Sequence, residues 1–246
     1  MIDVHCHIED EVFDKNREKI IENAKNAGVK AIITSGLGYN SAIKALSISD
    51  GKYIFLSIGL PPYDLSDFNK VIYFIEKNID KIIAIGEVGL DYYLGRENIR
   101  EEQLKCFKFF IKLAKDYDLP LIVHSRSAGK YAIETLINEK AEKVVLHAFD
   151  GKTKYALKGI EYGYYFSIPP SIVRSKQKQN LAKVLPIDFL MLESDSPVLG
   201  PIANEINEPK NIIFSVNKIA EIKNLPIKKV IEITTNNAKK VFNINI

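Results

Sequence analysis

The 246-residue chain has no tryptophan, two methionines, two cysteines and four histidines. A pair of cysteines, Cys6 and Cys106, cannot build a disulfide framework. That excludes the cystine-stapled secreted class and leads us to expect a reducing, cytoplasmic setting. No apolar run approaches the roughly 20 residues that a bilayer-spanning helix needs, so no membrane partner is expected. The first residues enter an apolar, strand-like segment that already contains Asp3, unlike a secretory leader. Neither sign of charge dominates. The 34 Lys and Arg against 31 Asp and Glu leave +3, too little by itself to indicate a polyanionic partner. A glycine-rich phosphate loop after the first strand is also missing, and "HCHIED" stands in its place.

What is present is a rhythm. Short apolar runs recur along the whole chain: "IDVHCH", "KAIITSG", "YIFLSIG", "KIIAIGEVG", "LPLIVHS", "KVVLHAF", "YYFSIPP" and "FLMLESD". Most are apolar at successive positions, as parallel strands buried on both faces are. Helix-like segments fall between them. One closes on Gly28, and another opens at Ser66 or Asp67 as its cap. The longest is "NIREEQLKCFKFFIKLAKDYD". Eight strands alternating with helices over this length predict a single (β/α)8 barrel of the TIM type, with its functional site at the C-terminal strand ends.

The scarce histidines fall on that rim. His5 and His7 alternate with Cys6, so on a strand they share one face and Cys6 takes the other, buried and unligated. Asp3 is expected on the histidine face, one layer back. Glu87 ends the fourth strand, His124 the fifth, His147 the sixth and Asp195 the eighth, with Glu193 one layer behind. Each has a plain alternative: a strand-end histidine is commonly just a satisfied polar group, and Asp195 in "ESDSP" suits a turn. Six such residues on one rim point instead to metal.

Four imidazoles and two carboxylates suit Zn, Mn, Fe, Co or Ni, and are too rich in nitrogen for a calcium or magnesium cage. They exceed what one catalytic ion takes, because such an ion keeps an open position. Two ions sharing a carboxylate use all six. His5, His7 and Asp195 are expected to hold one ion, His124 and His147 the other, with Glu87 as the bridge. Asp195 is further expected to orient the attacking water and take its proton. This is hydrolytic chemistry, and the ligand set alone does not choose the bond.

The segments "IDVHCHIED", "AIGEVGLDYY", "LPLIVHSR", "LHAFDG", "LESDSP" and "NEPKNI…ITTNNAKKVF" occur in order from residue 2 to residue 242. In them the chain resembles the TatD family of metal-dependent deoxyribonucleases, a branch of the amidohydrolase-like barrels. The resemblance covers essentially residues 1–246 as one unit. It implies a barrel, divalent metal ions (Zn, Mn, Co, Ni, Fe or Mg) and hydrolysis of DNA phosphodiester bonds, often from the 3′ end. It places ligands at His5, His7, Glu87, His124, His147 and Asp195. Two segments depart from the family pattern. "GLPPYD" has Pro61 where a histidine is usual, and "SIPPSIVR" has Pro169 and Pro170 in place of a glycine-containing loop. Both are expected to alter the rim of the pocket.

Secondary candidates surround this set. Arg126 is a candidate phosphate clamp or a loop ion pair. Asp91 is expected either to orient a ligand imidazole or to cap a turn. Tyr92 and Tyr93 are base-stacking candidates or ordinary packing. Arg174, Lys176 and Lys178 read as a solvated helix face more readily than a DNA contact. Glu208 is a substrate contact or a helix-start residue. The competing functions are a hydrolase of a small phosphoester, lactone or amide, and a catalytically weak interaction protein.

Overall fold

A computed structural model describes residues 1–93 and 96–246. Eight strands follow in chain order: β1 (Ile2–Cys6), β2 (Ala31–Leu37), β3 (Ile54–Gly59), β4 (Ile82–Gly89), β5 (Leu121–His124), β6 (Val144–Leu146), β7 (Tyr165–Ile168) and β8 (Leu190–Leu192). Each pairs in parallel with the next, giving the sheet order β1 to β8. The crossovers carry α1 (Arg17–Asn26), α2 (Tyr39–Ile48), α3 (Phe68–Lys77), α4 (Arg100–Asp116), α5 (Gly129–Asn138), α6 (Thr153–Glu161), α7 (Lys176–Val184) and α8 (Ile212–Lys223), with α9 (Ile227–Phe242) closing the chain. This is the expected (β/α)8 barrel. Among the described residues, no helix is long and apolar enough to cross a membrane.

Alternation along the strands builds two apolar layers. Ile32, Leu56, Ile58, Ile85, Val123, Leu146, Phe166 and Leu192 pack outward against helix residues such as Ala42, Val71, Phe110, Ile133 and Leu181. The intervening positions Ile2, Val4, Ala31, Ile33, Ala84, Ile122, Val145 and Met191 form a second cluster with Phe242 and Ile244. That inner cluster occupies the part of the barrel nearer the strand starts. The polar residues stand at the opposite end.

The seam between β8 and β1 is held differently from the rest. Asp195 N–H donates to the His5 carbonyl at 3.0 Å and His7 N–H to the Ser196 carbonyl at 2.8 Å. Ser194 N–H donates to Asp3 Oδ1 at 2.8 Å. The register of β1 shifts between Asp3 and Cys6, and that of β4 between Ile85 and Val88. Such irregularities re-aim side chains, and here they flank His5 and Glu87. Strict alternation therefore misplaces Asp3. It is in register with outward-packing Ile32 and spans the seam to Ser194, away from the histidine face. Strand β4 also continues two residues beyond Glu87. Cys6 is buried as expected, its sulfur 3.7 Å from the Ile33 carbonyl.

Helix α2 has no counterpart in the sequence reading. Its buried stripe is Ala42 and Ala45, which carry little hydropathic signal. It sits unusually close to β2 because Gly36 lacks a side chain. A Cβ there would come within 2.7 Å of the Ala42 Cα. Gly28 follows α1 at φ +84°, in the left-handed turn that ends the helix. Asp67 precedes α3 but does not cap it. Its carboxylate accepts Tyr39 N–H at 3.2 Å and pairs with Lys70 at 3.0 Å.

Candidate metal centre

All six expected ligands meet at the mouth of the barrel, around the carboxylate of Glu87. Its two oxygens divide the imidazoles. Oε2 lies 3.3 Å from His5 Nε2 and 3.5 Å from His7 Nε2. Oε1 lies 2.5 Å from His124 Nδ1 and 3.0 Å from His147 Nε2. Asp195 Oδ1 stands 3.4 Å from His5 Nε2 and 3.6 Å from His7 Nε2. The strands come close enough because of two glycines. A side chain at Gly59 would collide with the Glu87 carbonyl oxygen, and one at Gly89 with that of His124.

Outer partners fix which nitrogen faces inward. His7 Nδ1 donates to the Ser35 carbonyl at 2.9 Å, leaving the Nε2 lone pair toward Glu87. His5 Nδ1 meets Ser35 Oγ at 3.0 Å. His124 is turned the other way, with Nε2 on Asp91 Oδ2 at 3.2 Å and Nδ1 inward. His147 Nδ1 faces Glu193 Oε2 at 3.5 Å. Glu193 in turn accepts Ala148 N–H at 2.7 Å and Ser167 O–H at 2.6 Å. Such backing orients metal-ligating histidines and raises their basicity.

The electrostatics mark a cation site. Burial disfavours imidazolium, yet the facing carboxylates overcome it and raise the pKa of three histidines. Asp195, Glu87 and Glu9 act on His7, Glu87 and Asp91 on His124, and Glu87 and Glu193 on His147. Burial opposes ionisation of Glu87 as well, but His147 and His124 hold it well below the usual carboxylate range. Asp195 is likewise low, held there against burial by His5 and His7. Burial works against Asp91 too, but its bonds to His124, Tyr93 N–H and Arg96 bring it down to about 2. His5 Nε2 is buried with no hydrogen-bond partner among the described residues, and His124 Nδ1 and His147 Nε2 are 3.3 Å apart. A positive ion answers both features. The triads His5–His7–Glu87, His5–His147–Asp195 and Glu87–His124–His147 each bring their ligand atoms within 4.8 Å of one another.

The cluster forms the floor of a cavity of about 860 Å³, whose wall includes Glu9, Tyr39, Lys44, Pro61, Tyr63, Arg126 and Val198. Glu9, buried and accepting Thr34 and Ser41 hydroxyls, was not singled out in the sequence, although it follows the His-x-His segment by two residues. Arg126 is exposed on the rim, its guanidinium 3.9 Å from the Tyr93 ring centre. That stacking contact replaces the loop ion pair weighed as its alternative. Tyr92 packs on Tyr131, with ring centres 5.3 Å apart.

Two expectations need correction, and a third resolves between its alternatives. Pro61 lines the cavity, but Pro169 and Pro170 do not. Pro170 opens a short 3-10 turn, and Ser171 N–H bonds the Leu199 carbonyl. Glu208 stands at the start of the 3-10 turn Pro209–Asn211, as its helix-start reading has it, but its carboxylate does not cap that turn. It accepts from Asn23 of α1 at 3.1 Å and pairs with Lys210 at 3.0 Å. Lys178 is on no solvated face. It is buried, and its Nζ donates to the Ala148 and Phe149 carbonyls, each at 2.7 Å. With Glu193 on Ala148 N–H, it clamps the turn that carries His147. Lys178→Met leaves two buried carbonyls without a charged donor, at a cost of about 2–3 kcal/mol. Thermal unfolding is expected to show a Tm drop of roughly 5–10 °C for a chain of this size. An unchanged Tm would sink the clamp.

An eight-stranded parallel barrel with a histidine–carboxylate cluster at its mouth has the architecture of the metal-dependent hydrolases. A model of the TatD related DNase family matches residues 2–243. The human protein named "Deoxyribonuclease TATDN3" is 42% identical over 258 residues, covering 98% of this chain and 94% of its own. The protein of Bacillus subtilis (strain 168) named "Uncharacterized metal-dependent hydrolase YabD" is 32% identical, with both chains fully covered. The crystal structure of YJJV, a TATD homolog from Escherichia coli K12, superposes with a TM-score of 0.92 at 25% identity, covering 100% of this chain and 98% of that one. The chain belongs to the TatD related DNase family and is a metal-dependent hydrolase.

Proposed function

We propose that the protein is a two-metal phosphodiesterase acting on DNA, releasing nucleotides from an end. One observation carries the reading: the Glu87 carboxylate presents one oxygen to His5 and His7 and the other to His124 and His147. On this reading His5, His7 and Asp195 would hold one divalent ion, His124 and His147 would hold the second, and Glu87 would serve both. Zn, Mn, Co, Ni, Fe and Mg are the candidates, with the nitrogen-rich set favouring the transition metals. Bound ions would supply Lewis acidity, lowering the pKa of water and polarising a phosphoryl oxygen.

The chain's own groups do the rest. The Asp195 carboxylate orients the attacking water and accepts its proton. Asp91 and Ser35 keep the imidazoles turned inward. Arg126 has no carboxylate within ion-pair distance among the described residues and reaches a phosphate oxygen through its guanidinium edge. The free thiols of Cys6 and Cys106 support a cytoplasmic setting. Incubating a 5′- or 3′-labelled single-stranded oligonucleotide with Mn, Co, Zn or Mg tests the proposal. Stepwise nucleotide release is expected, and no release with any of these ions would overturn it. Arg126→Ala is expected to raise KM about tenfold and to flatten its salt dependence, because one counterion-releasing phosphate contact is lost.

A second reading is favoured by Asp10, Glu11, Asp64 and Asp67 on the cavity wall. Those carboxylates repel a long polyanion and suit a small phosphoester, lactone or amide. A panel of such substrates run beside DNA separates the two by kcat/KM.

A further inference from the structure

The cavity wall changes character around the barrel. The segment after β1 contributes Asp10 and Glu11, and the loop after β3 contributes Asp64 and Asp67. Beside Asp64 in that same loop, and in the segments after β4 and β5, tyrosine and arginine stand in facing pairs. Tyr63 lines the cavity and has the Arg96 guanidinium 4.6 Å from its ring centre. Arg126 lines the cavity and has the Tyr93 ring 3.9 Å behind it. The cavity thus presents one aromatic plane backed by a cation and one cationic plane backed by an aromatic ring.

Both planes are held from behind. Arg96 pairs with Asp91, a residue only 1% exposed. The Arg126 carbonyl accepts Tyr92 N–H at 3.0 Å, and Asp91 Oδ1 accepts Tyr93 N–H at 3.0 Å. Tyr63 and Tyr93 nevertheless remain 48% and 43% exposed. A lone exposed tyrosine is ordinary. Two that are each stacked with a guanidinium beside a hydrolytic cluster, one of them two residues after Pro61 in the "LPPYD" loop, make a surface shaped for flat, electron-rich rings.

We propose that Tyr63 and Arg126 are stacking planes for the bases of a single-stranded polynucleotide end whose phosphodiester lies at the Glu87 cluster. The inference rests on the phosphodiesterase reading and adds to it the recognised form of the substrate and its side of entry. Bases stack on tyrosine and on arginine planes without regard to sequence, at about 1–3 kcal/mol each. Those faces are available only when the base is unpaired. The Arg126 charge draws the backbone over the end of β5, and Asp10 and Glu11, which follow β1 four strands away around the barrel, turn it from the other side.

The test compares the metal-loaded wild type with Tyr63→Ala, Tyr63→Phe and Tyr93→Ala. The substrates are two single-stranded oligonucleotides that differ only in whether the terminal residues carry bases or are abasic. On the base-bearing end, Tyr63→Ala is expected to raise KM about tenfold, Tyr63→Phe to restore it, and Tyr93→Ala to raise it less, through loss of the backing of Arg126. On the abasic end, wild type and variants are expected to give KM values within twofold of one another. Circular dichroism and metal content check that each variant is folded and loaded. Equal KM for wild type and both alanine variants on the base-bearing end, or an equal rise on both ends, overturns the stacking surface. Hydrolysis of bis(p-nitrophenyl) phosphate by the wild type reports separately on phosphodiesterase chemistry. If the wild type cleaves neither this diester nor an oligonucleotide, the underlying reading fails and the stacking surface falls with it.

Discussion

Asp195→Asn is expected to lower kcat by roughly 10³–10⁴ while leaving the fold intact. The magnitude follows from the role, since a positioned general base contributes about 10²–10⁴ and the same substitution removes a negative ligand. Folding survives because the seam contact at this residue is made by its backbone: Asp195 N–H donates to the His5 carbonyl at 3.0 Å whatever the side chain. Asparagine has the same shape, but it carries no charge and cannot take a proton from water near neutral pH. Nucleotide release at saturating substrate, with circular dichroism and metal content alongside, is the measurement. A variant within tenfold of wild type would remove Asp195 from the chemistry.

The second large effect is thermal. Three imidazoles whose pKa values are raised and two carboxylates whose pKa values are lowered share one buried volume. For the histidines, folding favours the protonated form. In metal-free protein that stabilisation is fully present below about pH 6.5, the ordinary histidine value, and is lost as pH rises through the raised folded values. For Glu87 and Asp195 the sense is opposite. Their contribution is present above the ordinary carboxylate range and is lost as pH falls through the depressed values. The metal-free protein is therefore most stable on the acid side of neutrality and weakens as pH rises through the raised histidine values.

A divalent ion takes the place of those protons. It binds neutral imidazole, so it competes with protons at pH 6 and meets less competition at pH 8. At a free concentration of about 1,000 times its Kd, an ion stabilises the fold by about 4 kcal/mol, or roughly 10 °C in Tm for a chain of this length. Adding Zn or Mn to chelator-treated protein is expected to raise Tm by about that amount at pH 8 and by clearly less at pH 6. Equal shifts at the two pH values, or none, would contradict the assignment of these side chains as ligands.

The architecture was readable because buried parallel strands announce themselves as apolar runs. The cluster was readable because His5, His7, Glu87, His124, His147 and Asp195 each follow or end such a run. What escaped depends on contacts between segments distant in sequence. Helix α2 buries alanines against Gly36, a packing of small residues with almost no hydropathic trace. Lys178 reads as solvated because lysine in a polar helix usually is, yet the Ala148 and Phe149 carbonyls await it below the surface. Asp3 was assigned by strict alternation, and a register shift in β1 breaks that rule. The pairing of Tyr63 with Arg96 joins two loops whose proximity no local pattern encodes.

The join between the first and last strands has a consequence for synthesis. Five of the six expected ligands have been synthesised by residue 147, but the bonds from Ser194, Asp195 and Ser196 that draw β8 against β1 form only once residue 196 has followed. A nascent chain, or one clipped before that point, keeps its histidines without the closure that gathers them. On the two-metal reading, hydrolytic activity is therefore expected only once residue 196 has been added.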